Sequence, residues 1–67
     1  MKVLDVVALA EDLPQKGLNR GQVGTIIELL APQVYEVEFS DLDGKTYATA
    51  AVPEQLLMRL LHEPISP

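Results

Sequence analysis

The sequence predicts an all-β chain, five short strands rolled into one small barrel, and three observations predict it. From Tyr35 to Ser40 apolar and polar side chains alternate, the pattern of a half-buried strand. Asp43-Gly44 stands between that run and a second β-rich run, Thr46–Val52, and is a strong short-range hairpin signal. Strand-like runs recur through the 67 residues with Gly, Pro, Asn and Asp between them, as in small sandwiches and barrels.

The first strand is read over Leu4–Ala10, β-branched at Val6-Val7; its Ala and Leu leave a helix open as an alternative. Glu11–Gly21 is then a long loop. Pro14 removes a donor and biases Leu13 to extended backbone, while Gly17, Asn19 and Gly21 supply turn geometry. Gln22–Leu30 is the second strand, with Gly24 marking a bulge or sharp bend inside it. Ala31-Pro32-Gln33 turns the chain into the third strand, Val34–Ser40. There Tyr35, Val37 and Phe39 face the core, and Glu36, Glu38 and Ser40 face water. Asp41–Lys45 is the hairpin turn and Thr46–Val52 the return strand.

Pro53-Glu54-Gln55 opens a helical turn, since Pro suits its first position and Glu complements its dipole. Leu56, Leu57, Leu60 and Leu61 recur at helical spacing, so a helix over Pro53–Leu61 is an alternative. A short turn followed by a fifth strand over Leu57–Leu61 is preferred, because four strands leave a barrel edge uncovered. Pro64 and Pro67 mark a frayed tail. The reading is a single domain over residues 1–63 and a tail at 64–67.

So short a chain buries only about 60% of the surface it exposes when unfolded. At 48% hydrophobic residues it still has enough for one core, built of small pieces with one Phe, two Tyr and no Trp. Cysteine is absent, which removes disulfides, thiolate nucleophiles and Cys-based zinc sites and favours a reducing compartment. No run approaches the roughly 18–20 apolar residues of a membrane span, and Met1–Asp5 does not resemble a signal peptide. A soluble cytoplasmic protein is expected.

Ten acids face five bases, and the bases stand singly at Lys2, Lys16, Arg20, Lys45 and Arg59. Phosphate backbones reward clustered cations, so nucleic acid and anionic membrane are poor partners. A protein partner with a basic surface is steered favourably.

The chemistry-bearing residues do not assemble into a reaction. Glu11 and Asp12 are adjacent at the start of a loop, whereas acid–base work needs two carboxylates converging on one pocket. Asp41-x-Asp43-Gly44 opens like a calcium loop, but the twelfth position is Val52, which cannot ligate. His62 is the only histidine and has no partner at metal-ligand or nucleophile–base spacing. Ser40 and Ser66 lie outside any nucleophile elbow, and Gly21-x-x-Gly24 lacks the Lys and helix of a phosphate cradle. The expectation is a non-enzyme with no cofactor and no metal.

The loop is the candidate site, with Asp12, Leu13, Pro14, Leu18 and Arg20 as partner-binding residues and Tyr47 as a neighbouring exposed aromatic. Leu13 and Leu18 have a second reading, folding back to cap the barrel end. Arg20 has one too, pairing within the chain with Glu11 or Asp12.

Gly21-Gln22-Val23-Gly24-Thr25-Ile26-Ile27 resembles the Gly-anchored strand of KOW-type barrels and supports an SH3-like barrel with a long first loop. The RNA-binding members carry basic loops, which this chain lacks. The blocks Val6-Val7-Ala8-Leu9, Glu11-Asp12-Leu13-Pro14, Gly17-Leu18, Arg20-Gly21 and Val23–Glu28 resemble a family of short bacterial proteins. Tyr35–Phe39 and Asp43–Ala48 continue the match. That family is catalogued as a domain of unknown function and is common in cyanobacteria. The resemblance implies a bacterial cytoplasmic protein and no particular activity. A fainter likeness, in size and strand order, is to the small SH3-like subunit of the photosynthetic NAD(P)H-dehydrogenase-like complex. Its ferredoxin-docking role does not carry over, because ferredoxins are acidic, as this chain is.

The functional expectation is a protein-binding module or accessory subunit. The alternatives are an antitoxin or immunity-type protein masking a basic toxin, and a KOW-like nucleic-acid-binding barrel. Homo-oligomerisation through open strand edges is compatible with the pattern.

Overall fold

The structure, a computed structural model, describes residues 1–61; the expectations for His62 and for the tail at 64–67 lie outside the described residues. The chain is all-β. Strands β1 (Val6–Leu9), β2 (Val23–Ala31), β3 (Val34–Ser40), β4 (Thr46–Pro53) and β5 (Leu57–Arg59) form one antiparallel sheet in the order β4-β3-β2-β1-β5. One 3-10 turn, Pro14–Lys16, lies in the first loop and another, Glu54–Leu56, precedes β5. The long first loop, the short turn before the last strand and the strand reading of residues 57–59 are as the sequence predicts. The alternative helices over the first segment and over residues 53–61 do not form. No helix among the described residues is long and apolar enough to cross a membrane.

The sheet is forced to roll. Laid flat, its outer strands β4 and β5 would stand about 19 Å apart at ordinary strand spacing. Only the three residues Glu54–Leu56 join them, and a 3-10 turn rises about 2 Å per residue. The covalent link therefore brings the two ends of the sheet together around one interior, although they are not hydrogen-bonded neighbours. Side chains from all five strands meet there: Val7 and Leu9 from β1, Ile26 from β2, Val37 and Phe39 from β3, Val52 from β4 and Leu57 from β5.

Strand β3 alternates as its sequence requires. Tyr35, Val37 and Phe39 are buried, and Glu36, Glu38 and Ser40 lie half-buried between them. The single Tyr35 hydroxyl proton has two acceptors in reach, Glu54 Oε1 at 3.1 Å and the Met1 carbonyl at 3.2 Å, so the polar atom of this core side chain is satisfied. Burial pushes the Tyr35 phenol above its ordinary 10.0, and the bond to Glu54 and the negative charges of Glu54 and Asp5 push the same way.

Gly24 does not mark the bulge expected at its position. The register against β3 shifts later, between Ile26 and Glu28 and between Leu29 and Ala31. Gly24 is needed for close approach instead. A Cβ there would sit 2.7 Å from Val37 Cγ1 and 2.8 Å from the Glu38 carbonyl oxygen. The first shift makes Ile27 an extra residue and places Glu28 directly opposite Glu36 on the outer face. Like charges so placed repel.

Candidate partner-binding surface

The first loop is a small closed structure. Leu13 and Leu18 bridge each other through both backbone bonds, at 2.8 and 3.1 Å, with the turn Pro14–Gly17 between them. Gly17 closes that turn at φ 69, a backbone that glycine adopts without strain. The base of the loop is tied by Gly21 N–H to the Leu9 carbonyl and Leu9 N–H to the Gln22 carbonyl.

This closure decides between the two readings of the loop leucines. Leu13 is 7% exposed and Leu18 2%, and both belong to the core cluster. They cap the barrel end, so their side chains hold the loop down and do not face solvent. Asp12 is also occupied within the loop: its Oδ1 accepts the backbone N–H of Arg20 at 2.7 Å. The expected pairing of the Arg20 charge with Glu11 or Asp12 is not formed among the described residues: Asp12 takes the main-chain N–H of Arg20, and the guanidinium makes no ion pair there. Pro14 and Arg20 are exposed.

Tyr47 lies at the mouth of this loop. The β3–β4 register shifts between Phe39 and Ser40, where Phe39 faces Ala48 and Ser40 faces Thr46, so Tyr47 is the extra residue of a bulge. Bulges re-aim side chains, and Tyr47 is 49% exposed. Its hydroxyl accepts a hydrogen bond from Gln22 Nε2 at 2.9 Å, while Gln22 Oε1 accepts the backbone N–H of Asn19. Gln22 thus couples the loop to the start of β4.

The β3–β4 turn adds a residue that the sequence reading left aside. Asp41 Oδ1 accepts the N–H groups of Asp43 at 2.9 Å and Lys45 at 3.0 Å, and Gly44 stands at φ 79. The turn so braced presents Leu42 fully to solvent. An apolar residue inside Asp-Leu-Asp-Gly was the available signal, since such turns favour polar residues.

On the outer face of the adjoining strands Ala8 pairs with Met58 on one side and Val23 on the other. Ala8 points away from the core because Val7 and Leu9 point into it. Met58 and Val23 are exposed and shield Ala8, which is 4% exposed. The result is an apolar row ending at Val23, next in the chain to Gln22. Of the sequence-predicted residues the structure leaves Pro14, Arg20 and Tyr47 at the surface, withdraws Leu13 and Leu18, and commits Asp12 to the loop.

The family model described as Domain of unknown function (DUF4926) matches residues 3–59. The chain belongs to that family. The matched span takes in every strand and the whole first loop. No curated protein and no solved structure matched the chain.

Proposed function

We propose that this DUF4926 domain is a non-catalytic protein-binding module or accessory subunit that docks through the barrel end carrying Leu42, Tyr47 and Pro14. The observation that carries the reading is Leu42: an apolar side chain held wholly in water by a turn whose backbone is braced at two N–H groups. Apolar residues scattered over a surface need no explanation, but one on a rigid tip near an exposed, hydrogen-bonded tyrosine does. Aromatic residues are favoured at interface cores, and a pre-ordered contact loses less entropy on binding. The net charge of −5, with Glu28 set opposite Glu36 on the outer sheet face, favours a partner with a basic surface.

Affinity capture from the source cells tests this, with the wild-type chain as bait beside Leu42→Asp and Tyr47→Ala. The expected result is a stoichiometric partner retained by wild type and lost from both variants. Equal capture by all three baits, or no stoichiometric partner at all, overturns the proposal.

A further inference from the structure

We propose that the open edge of β2 beyond Ile26 accepts an extended segment of a partner protein as an added strand, one in which apolar residues alternate with lysine or arginine. This edge lies at the opposite end of β3 from Leu42 and Tyr47, and the proposal does not rest on docking there.

Strand β2 is longer than the strand that covers it. β1 pairs with Val23, Gly24 and Thr25, and its lead-in reaches one residue further. Ile26 N–H donates to the Asp5 carbonyl at 3.0 Å, and Leu4 N–H donates to the Ile26 carbonyl at 2.7 Å. Leu4 stands at φ 78 in a turn closed by Asp5 N–H on the Lys2 carbonyl, so the chain bends off the ladder there. Among the described residues no main-chain bond from the lead-in reaches past Ile26. Beyond it Glu28, Leu29 and Ala31 pair with β3 alone, and every residue from Ile27 to Ala31 is exposed.

Backbone groups turn alternately to the two sides of an antiparallel strand. Ile26 turns its own away from β3, and the extra residue Ile27 moves the alternation on by one. Leu29 is therefore the next residue to present its N–H and carbonyl to the open side. Ile27, Leu29 and Leu30 give this edge exposed apolar side chains, and Glu28 gives it a charge. Unpaired strand edges are templates for pairing with another chain.

That charge, carried by the edge strand itself, selects the occupant. Glu28 lies opposite Glu36 on the outer face, and neither makes an ion pair among the described residues. An added strand sets a side chain directly across from Glu28 on its open side, at the roughly 5 Å separation of cross-strand neighbours. An acidic segment would place a third carboxylate in that row. A second copy of the chain would bring another Glu28–Glu36 pair into the same sheet. A segment alternating apolar and basic residues meets the Leu29 N–H and carbonyl with its backbone, Glu28 with a cation and the Leu29 side chain with an apolar one. Strand addition works in this way, with main-chain bonds supplying affinity and alternate side chains supplying specificity.

The test is an NMR titration of the full-length ¹⁵N-labelled chain. One probe is a capped heptapeptide alternating valine with lysine, and the other is its aspartate counterpart. The lysine peptide is expected to shift the amides of residues 27–31 and to slow hydrogen exchange at Leu29. The aspartate peptide is expected to bind about tenfold more weakly. Glu28→Lys should remove that preference. Glu11→Lys, the same change of net charge made in the first loop, should keep it, which separates the charge at the edge from the chain's overall −5. Shifts confined to Leu42 and Tyr47, equal binding of the two peptides, a preference unchanged in Glu28→Lys or one lost equally in Glu11→Lys would overturn the proposal. So would no binding at millimolar peptide, the result expected if Glu28 serves only to guard the edge. A Leu29 amide already protected in the free chain would overturn it too, whether by a second copy at high concentration or by the chain itself at every concentration.

Discussion

Tyr35 and Glu54 are joined by a hydrogen bond of 3.1 Å that links the middle of the sheet to the short turn closing it. The phenol titrates above its ordinary 10.0, first because it is buried and then because Glu54 and Asp5 disfavour a second negative charge. An acid whose folded value is raised is stabilised in its protonated form. Its contribution is complete below pH 10 and is lost as pH rises through the folded value. Urea midpoints of the wild type should therefore fall above pH 10 by a component that Tyr35→Phe lacks. Parallel alkaline profiles for the two proteins would refute the assignment.

Gly24→Ala should cost about 1–3 kcal/mol, because the new methyl meets Val37 Cγ1 and a backbone oxygen that cannot swing aside. Gly44→Ala meets nothing within 4 Å and is opposed only by its φ of 79, so about 1 kcal/mol is expected there. Chemical denaturation of the two variants separates steric from torsional cost. A Gly24→Ala variant as stable as wild type would mean that β2 and β3 are not so closely apposed.

Glu28→Lys converts a cross-strand repulsion with Glu36 into an attraction. A gain of about 0.5 kcal/mol is expected at low salt. It should shrink toward zero at 1 M salt, where the Debye length is about 3 Å. A gain insensitive to salt would assign the effect to something other than charge.

Leu4→Asn relieves the left-handed strain at a position that is mostly exposed, so little burial is lost. Thermal unfolding should shift upward by the equivalent of about 0.5–1 kcal/mol. A clear downward shift would show that Leu4 contributes more to the core than its exposure implies.

Leu42→Asp should leave stability within about 0.5 kcal/mol of wild type. Leu13→Asp, which buries a carboxylate at a 7% exposed core position, should unfold the chain under the same conditions. Far-ultraviolet circular dichroism distinguishes the two. If Leu13→Asp folds normally, the loop leucines are not the cap described above.

The strands were legible because β patterning is local. Tyr35 to Ser40 alternate whatever lies beyond them, and Asp43-Gly44 announces its turn within a few residues. The last strand was the least secure, since Leu56, Leu57, Leu60 and Leu61 satisfy helical spacing as well as a buried run. It was settled by the need to cover a sheet edge, a global argument.

The site was less legible. Leu13 and Leu18 can be read as partner contacts or as a lid, because apolar residues in a loop carry no label for the side they face. Tyr47 was marked by its type and confirmed at the surface by a bulge that no local pattern announces. Leu42 is masked in the sequence by its own turn residues, which account for the segment whether or not the apolar side chain is exposed.

By itself, the order of residues determined the five strands, the hairpin at Asp43-Gly44, the acidic balance and the membership in DUF4926. Tertiary structure alone decided which apolar side chains are covered, that Gly24 serves contact rather than a bulge, and that β5 is the end strand of the sheet among the described residues. The physical reason is that strand formation depends on neighbours two residues apart, while burial depends on how a rolled sheet brings together segments thirty or more residues distant.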